Sequence, residues 1–211
     1  MTTRYSDLLS EVLPVLSADP SDPVTESAIR RAVTDLCFQS WIWRHCPDPI
    51  DVIAGTDLYE LEPPYLGNTI TIVEARLSDE VLVPANVSLL MRENPRWRSE
   101  TGTPRRFIQT DTKNIVLQPV PGSSIAGGLQ VTLAIAPSRN SDSFPQWIAD
   151  RYLYTIIDGA LSYLMMMQNK PWTNLQMGMD CRAKFAAGIA NARASAVTSM
   201  DAAPLRTTPI H

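Results

Sequence analysis

The spacing of hydrophobic residues changes twice along the chain, from a helical period to a strand period and back again. Apolar residues recur every three or four positions over 4–16 and about 23–43, alternate with polar ones between about 49 and 137, and return to the helical spacing from about 145 to 200. Residues three or four apart share a helix face, whereas residues two apart share a strand face. The pattern therefore predicts two helices, a β-rich insertion and two further helices.

Capping signals place the borders of these helices. Asp22 followed by Pro23 is typical of a helix start with Asp22 as the N-cap. Thr173 and Gln176 form a capping-box pattern, which predicts the start of the last helix. That helix is rich in alanine, and the helix before it contains Gly159. Because small residues let backbones come together, we expect these two helices to approach closely.

The insertion carries the signals of strands joined by tight turns. Its two longest strand patterns are NTITIVEARL at 68–77 and LQVTLAIAPS at 129–138. Turn residues separate the strands at four places: Gly55, 78–79, 111–114 and 127–128. Hairpins of this kind predict an antiparallel sheet. Pro119 and Pro121 lack the N–H that a central strand donates, so we expect the strand over 115–120 to lie at a sheet edge or to end there.

These patterns assign the chain to the α+β class. We expect a helical bundle body of four helices, two N-terminal and two C-terminal, with an inserted antiparallel β-domain and an extended C-terminal tail. The expected segments are the N-terminal helices at 1–48, the inserted β-domain at 49–137, the C-terminal helices at 138–200 and the tail at 201–211. The tail, DAAPLRTTPIH, contains two prolines and no core pattern, so alone it should be extended and mobile.

Composition narrows the class of protein further. A chain of 211 residues that is 45% hydrophobic is long enough for one domain with a smaller insert. Its net charge of -4 repels nucleic acid and anionic lipid. The three cysteines show no paired spacing and the N-terminus has no signal-peptide pattern, which indicates a reduced, cytosolic protein. The longest apolar segment carries Asp158 and is shorter than the ~20 residues that cross a bilayer, so we expect no membrane partner.

The sequence offers no set of residues suited to catalysis. Its only histidines are His45 and His211, which leaves a Ser-His-Asp or Cys-His site to be built from a helix end and the last residue. Cys37, His45, Cys46 and Asp48 lie near one another in the sequence, but no second ligand pair completes a zinc site. A buried thiol at Cys37 is the favoured interpretation. We expect no enzyme activity, no cofactor and no metal.

One segment of the insertion interleaves basic and aromatic residues. It contains Arg92, Arg96, Trp97, Arg98, Arg105 and Arg106. Such a segment suits a nucleic-acid backbone and its bases. Glu93 and Glu100 dilute the charge, however, and protein interfaces are enriched in the same residue types. We favour a protein interface, with a tail component or a second subunit, and keep nucleic-acid binding open.

Four tryptophans gather at predicted helix ends, close to the borders of the insertion: Trp41, Trp43, Trp147 and Trp172. Buried aromatic residues contribute strongly to any packed junction, so we assign them as anchors of the seam between body and insertion. An outward-facing role for the same residues stays open.

The order of these features resembles the head-to-tail adaptor (connector or neck) proteins of tailed bacteriophages. The likeness runs from about residue 5 to about 200. It begins with LLSEVLPVL and the aromatic-rich FQSWIWR, continues through GTDLYELEPP, ITIVEARL, LVPANVSLL, TGTPRRFI, IVLQPVPG and LQVTLAIAPS, and closes with IIDGALSYLM, KPWTN and an alanine-rich helix.

This resemblance implies a structural virion protein, not an enzyme. It implies a self-associating ring, usually dodecameric, that joins the portal protein to the next tail or nozzle component and surrounds the channel through which genomic DNA passes without sequence-specific binding. It places the protein in the virion neck after assembly in the host bacterial cytoplasm. The tail residues would then be the portal-binding set: Asp201, Pro204, Leu205, Arg206, Pro209, Ile210 and His211.

Two other functions stay open from the sequence. A tail-completion or gatekeeper protein of the same neck would share the fold and close the channel with a loop. A nucleic-acid-binding protein would use the Arg92–Arg106 segment and bind DNA in a salt-sensitive way. For the free adaptor, we expect a monomer or a weak oligomer.

Overall fold

The computed structural model describes residues 1–198, and these form a mixed α+β protein of two compact units. The helical unit contains Met1–Ile42 and the described residues from Asn140 onward, and the β-rich unit is Trp43–Arg139. Arg44–His45 pair with a long strand of the β-rich unit. For this reason residues 43–48 belong to that unit, whereas the sequence prediction began the insertion at 49.

The described residues contain five α-helices and thirteen strands. The helices are α1 Leu9–Val12, α2 Asp22–Ser40, α3 Val87–Glu93, α4 Gln146–Met165 and α5 Leu175–Val197. The strands are β1 Thr2–Arg4, β2 Arg44–His45, β3 Ile50–Val52, β4 Leu58–Glu60, β5 Gly67–Leu77, β6 Glu80–Val81, β7 Val83–Pro84, β8 Thr101–Gly102, β9 Arg106–Gln109, β10 Asn114–Gln118, β11 Val120–Pro121, β12 Ile125–Pro137 and β13 Ser143–Pro145.

The predicted four-helix bundle is not confirmed, because the first element is not one continuous helix. Over 5–15 the chain forms the single turn α1 between two 3₁₀ turns. The strand β1 precedes them and pairs antiparallel with β13. Tyr5 stacks on Phe144 with ring centroids 5.3 Å apart, and both side chains are buried. The long helices α2, α4 and α5 pack on one another to form the rest of the unit.

Helix α2 begins and ends differently from its sequence prediction. Asp22 is its first residue, and Ser21 is the N-cap whose carbonyl accepts the N–H groups of Val24 and Thr25 at 2.9 and 3.2 Å. The helix ends at Ser40 because Trp41 adopts the left-handed conformation, with φ 56° and ψ 32°. This is the αL type of helix end, which reverses the chain after the last turn.

Close packing between the helices depends on glycine, as the sequence predicted. A Cβ atom at Gly159 on α4 would lie 2.8 Å from Ala32 Cβ on α2 and 2.8 Å from Phe185 Cε2 on α5. The side chains of Phe185 and Ile189 are buried. The predicted capping box of α5 is wrong: Asn174 caps the helix through its side chain, which accepts the Met177 N–H at 3.2 Å. Thr173 Oγ1 instead accepts the N–H of Lys170.

The two longest strands of the β-rich unit pair antiparallel, with β5 lying along residues 129–137 of β12. They belong to a five-stranded sheet in which β2 and β3 also pair with β12 and β6 pairs with β5. A four-stranded sheet has the order β4-β10-β9-β7. The predicted strand patterns at 68–77 and 129–138 are confirmed. The predicted turn at Gly127-Gly128 is wrong, because both residues lie inside β12. Gly127 has φ 57° there, and the register of β12 with β3 shifts.

The strand over 115–120 occupies a different place from the one predicted. β10 pairs with β4 on one side and β9 on the other, so it is an inner strand and not an edge. It ends at Gln118, directly before Pro119, which agrees with the expectation that the prolines terminate it. Residues 120–121 form the separate short strand β11.

The insertion also contains elements that the sequence prediction missed. Helix α3 follows Asn86, whose side chain accepts the Ser88 N–H at 2.8 Å. The pairs β7–β9 and β8–β11 are parallel, so the sheets of this unit are antiparallel with two short parallel exceptions.

Candidate functional site

The arginine-bearing segment is built around a buried tryptophan. Trp97 is 4% exposed and packs with Leu90, Ile108 and Val116 in a hydrophobic cluster. Leu90 comes from α3, whereas Ile108 and Val116 come from the paired strands β9 and β10. The sequence grouped Trp97 with the arginines as an interface residue. The structure instead places its side chain in the core beneath them.

Two polar networks hold the surface above this cluster. Arg106 donates from Nη1 to Glu93 Oε2 at 2.5 Å, which joins β9 to the end of α3. Glu100 Oε2 accepts from Asn94 Nδ2 at 3.3 Å and from Gln118 Nε2 at 3.1 Å. Gln118 is itself buried. The side chains that line this surface are therefore held in place by hydrogen bonds to neighbouring elements.

A cleft of about 530 Å³ opens between these networks. Its lining includes all the residues of both networks and residues 101–103. The network residues are Glu93 and Arg106 in the first network, and Asn94, Glu100 and Gln118 in the second. The volume lies in the range of sites that bind small ligands or side chains of a partner. We call it the arginine cleft, because Arg105 and Arg106 both line it.

The structure separates the predicted interface arginines into two groups. Arg105 and Arg106 line the arginine cleft together with Trp97. Arg92, Arg96 and Arg98 are exposed and lie outside its lining. The guanidinium carbon of Arg98 lies 5.0 Å from the centre of the Trp97 ring. Of the five predicted interface arginines, two therefore line the cleft and three do not.

A second cavity, of about 550 Å³, lies in the helical unit between α2, α4 and α5. In it the Tyr163 hydroxyl donates to Asp35 Oδ2 at 2.5 Å. The guanidinium carbon of Arg31 lies 4.3 Å from the centre of the Tyr163 ring, and the Phe185 ring meets that ring edge-on at 6.3 Å. Sequence reasoning missed this constellation, because Asp35 and Tyr163 are 128 positions apart.

Burial and the Asp35 carboxylate together raise the pKa of Tyr163 to about 12. Burial is the larger cause, and the hydrogen bond and negative charge of Asp35 act in the same direction. The Arg31 guanidinium opposes them by favouring the phenolate. Tyr163 is therefore a neutral hydrogen-bond donor at physiological pH, which suits a structural role.

The four predicted seam tryptophans have different surroundings. Trp43 is buried in the β-rich unit, at the start of that unit, while Trp41 is the left-handed end of α2. The guanidinium carbon of Arg193 lies 5.8 Å from the centre of the Trp41 ring. Trp147 lies in the first turn of α4, and Trp172 precedes α5 with its Nε1 buried and without an acceptor in residues 1–198. Their joint role as seam anchors stays a prediction.

The buried thiol that the sequence favoured at Cys37 is confirmed. Its side chain is fully buried, and burial raises the pKa of the thiol to about 12. A buried thiol of this kind is protonated at neutral pH and unreactive. Within residues 1–198 no group of three His, Cys, Asp or Glu side chains is arranged to hold a metal ion.

Over residues 1–198 no helix is both long and apolar enough to cross a membrane. The predicted portal-binding residues, 201–211, lie outside the described part of the chain, as do the last residues of the helix predicted to reach 200. The described helix α5 ends at Val197.

Comparison with known families decides the class of protein. A family model described as SU10 adaptor protein matches residues 3–208, nearly the whole chain. The chain belongs to this family. The match confirms the resemblance to phage head-to-tail adaptors that the order of sequence features indicated. A search of curated proteins found no match.

Membership of the SU10 adaptor family gives the chain a structural role in a bacteriophage. The family is one of phage adaptors and not of enzymes. An adaptor belongs to the neck of the virion and interacts with portal and tail components.

Proposed function

We propose that this protein forms a ring in the virion neck, usually dodecameric in such adaptors, that joins the portal to the tail and surrounds the DNA exit channel. The observation that carries this proposal is the match to the SU10 adaptor family over residues 3–208. The division of the chain into a helical unit and a β-rich unit supports it, since a connector needs distinct surfaces for its different partners.

In this proposal the helical unit forms the ring body and the β-rich unit contacts the next tail or nozzle component. Residues 201–211 contact the portal, as the resemblance to adaptors implies. Assembly takes place in the host bacterial cytoplasm. The net charge of -4 supports a channel wall that does not grip the DNA passing through it, because like charges repel.

Mass in solution tests this function directly. We expect the purified chain to be a monomer or weak oligomer in light scattering, and to form a stoichiometric ring when a portal ring from the same virion is added. A chain truncated before residue 201 is the control, and it should lose portal-dependent assembly.

The opposite pattern of results would count against an adaptor. A small oligomer that ignores the portal ring but changes mass with DNA, more weakly at high salt, would favour the nucleic-acid-binding alternative. A complex with the portal that holds a single copy of this chain would contradict the ring while leaving portal binding in place.

A further inference from the structure

The outer side of helix α5 is largely apolar along its whole length. Seven exposed residues recur there at steps of three or four, which places them on one side of the helix. We call them the outer face: Leu175, Met179, Arg182, Ala186, Ala190, Arg193 and Val197. Its three largest apolar members, Leu175, Met179 and Val197, are 54%, 61% and 77% exposed. A surface helix usually has one apolar stripe, and α5 already buries Phe185 and Ile189 on its inner side, so the second stripe calls for a partner.

The outer face borders the α2–α4–α5 cavity. Arg182 and Ala186 belong to the outer face and also line this cavity of about 550 Å³, together with Ile189. The surface therefore has a recess beside the helix that side chains of a partner can enter. Interface residues that contribute most to binding typically fill such recesses.

The N-terminal part of the helical unit carries the opposite charge. From Tyr5 to Ile29 the chain has no lysine or arginine and has five carboxylates, which define the acidic segment: Asp7, Glu11, Asp19, Asp22 and Glu26. The first four are exposed, and Val15 between them is 41% exposed. Helix α5 has three basic residues against the single acidic residue Asp180. The two surfaces are therefore complementary in charge, and both contain exposed apolar side chains.

These two surfaces do not cover each other within one chain. Glu11 and Asp19 are exposed, and so are Arg182 and Arg193. Helix α1 lies in the acidic segment and packs on α2 and α4, the two helices on which α5 also packs. One copy therefore presents both surfaces at once, which is what a head-to-tail contact between copies requires.

We propose that the outer face of α5 packs against the acidic segment of the next copy of this chain, and that repetition of this head-to-tail contact builds the ring. The inference rests on the proposed function for the closure of the ring, whereas the contact is argued from the two surfaces. Opposite charges set the orientation of the two copies, and the apolar side chains supply the buried area.

The size of the contact agrees with a free chain that is a monomer or weak oligomer. A helix of 23 residues is about 35 Å long and about 10 Å wide, so its outer face offers roughly 350 Å². Stable complexes bury about 800 Å² on each partner. The contact alone is therefore weak, and a portal that binds several copies side by side raises their effective concentration.

Two other occupants fit the outer face less well. A second α5 would place a positively charged helix against itself, and pairing of identical faces gives a dimer and not a ring. A nucleic-acid backbone is bound by rows of cations, whereas five of the seven residues of the outer face are apolar.

Charge reversal in the full chain tests the contact. The first variant, Arg182→Glu with Arg193→Glu, reverses the outer face, and the second, Glu11→Lys with Asp19→Lys, reverses the acidic segment. Self-association is measured by sedimentation equilibrium without a portal, and assembly by light scattering with a portal ring. Fluorescence anisotropy measures binding to a labelled DNA duplex, and circular dichroism checks that each variant is folded.

We expect each reversal to weaken self-association about tenfold or more, because it places like charges opposite each other. An equimolar mixture of the two variants should recover the association, since every contact between unlike variants again joins opposite charges. If the outer-face reversal does not fold, Leu175→Ser with Met179→Ser replaces it and should weaken association about tenfold, because it removes apolar area from the contact.

The matched control is Arg92→Glu with Arg96→Glu, which makes the same change of charge at exposed arginines of the β-rich unit. This variant should associate as the wild type does. Loss of association in the control, with the outer-face reversal unaffected, would overturn the proposal and assign the contact to the Arg92–Arg106 segment.

Other results would also overturn the proposal. Equal association of either reversal variant and the wild type would do so, as would a mixture that stays dissociated after each variant has lost association. A dimer that Glu11→Lys with Asp19→Lys leaves intact would assign α5 to pairing with itself. DNA binding that only the outer-face reversal removes, with self-association unchanged, would assign the face to nucleic acid.

Failure of the ring and failure of the contact are distinguishable. Self-association that needs both surfaces but ignores the portal ring would overturn the proposed ring and support the contact. A portal-dependent ring that neither reversal affects would overturn the contact and leave the ring. A wild-type chain that neither self-associates nor assembles on the portal would overturn both.

Discussion

At the scale of single residues, ionisable side chains such as Asp111 and Tyr163 make hydrogen bonds within the fold. The Asp111 carboxylate accepts from the N–H groups of Lys113 and Asn114 and from the Asn114 side chain. These hydrogen bonds, the Asn114 side chain first, lower the pKa of Asp111. In the helical unit the half-buried Tyr163 donates its hydroxyl proton to Asp35, and the raised pKa of Tyr163 has a measurable consequence.

Tyr163 makes the stability of the protein depend on pH in the alkaline range. Its pKa is 10.0 when unperturbed and about 12 in the folded chain, so the folded state holds the proton more tightly than the unfolded state. The stabilisation is therefore fully present below pH 10 and is lost as pH rises through about 12. We expect the free energy of unfolding to fall over this window, and a tyrosinate absorbance transition near pH 12 that Tyr163→Phe removes.

The Asp35 variant separates the causes of this shift. In Asp35→Asn the negative charge is gone but burial remains, so the Tyr163 transition should move to lower pH. Tyr65→Phe, at a side chain that is 97% exposed, is the control and should leave the transition near pH 12 in place. An unchanged transition in Tyr163→Phe would show that another tyrosine produces it.

At the scale of elements, the helical unit depends on how closely α4 lies to its neighbours. A Cβ atom at Gly159 would meet two atoms at 2.8 Å, Ala32 Cβ and Phe185 Cε2, one on each neighbouring helix. Gly178, near the start of α5, is less restricted, because its Cβ would lie 3.0 Å from Met166 Cγ, in a flexible side chain. The two glycines form a matched pair within one unit.

Alanine substitution should therefore lower the stability of the protein much more at Gly159 than at Gly178. Alanine is the better helix former by about 0.5–1 kcal/mol, so Gly178→Ala should be near neutral in stability. At Gly159 the added methyl group forces the helices apart, and we expect Gly159→Ala to lower the free energy of unfolding by about 1–3 kcal/mol. Chemical denaturation of both variants measures the difference. A Gly159→Ala protein as stable as Gly178→Ala would mean that α4 has room to move.

The elements that the sequence predicted well are those whose pattern is long. The helix from about 145 and the strands at 68–77 and 129–138 carry enough repeats to fix their type. Helix α3 was missed because seven residues between strands give little periodicity, although Asn86 followed by VSLLMRE is a recognisable start. Trp97 was misplaced because an aromatic residue among arginines has the same local pattern whether it points inward or outward. Its partners Ile108 and Val116 come from other strands.

At the scale of the whole molecule, the chain order places the β-rich unit inside the sequence of the helical unit. Residues on both sides of the insertion, before Trp43 and after Arg139, contribute to one compact set of contacts. Strand β1 pairs with β13, and α2 packs on α4 and α5, so the first and last parts of the chain complete each other.

Removing the insertion tests whether the helical unit is a folding and assembly unit of its own. We expect a variant that lacks Trp43–Arg139, with a short Gly/Ser linker between Ile42 and Asn140, to keep its helical circular dichroism and its cooperative unfolding. It should still self-associate and assemble on the portal ring, because the proposed ring and portal contacts lie outside the deleted part. The reciprocal fragment, Trp43–Arg139 alone, should stay monomeric with the portal. A deletion variant that is monomeric and unfolded would contradict this division and assign ring contacts or core packing to the β-rich unit.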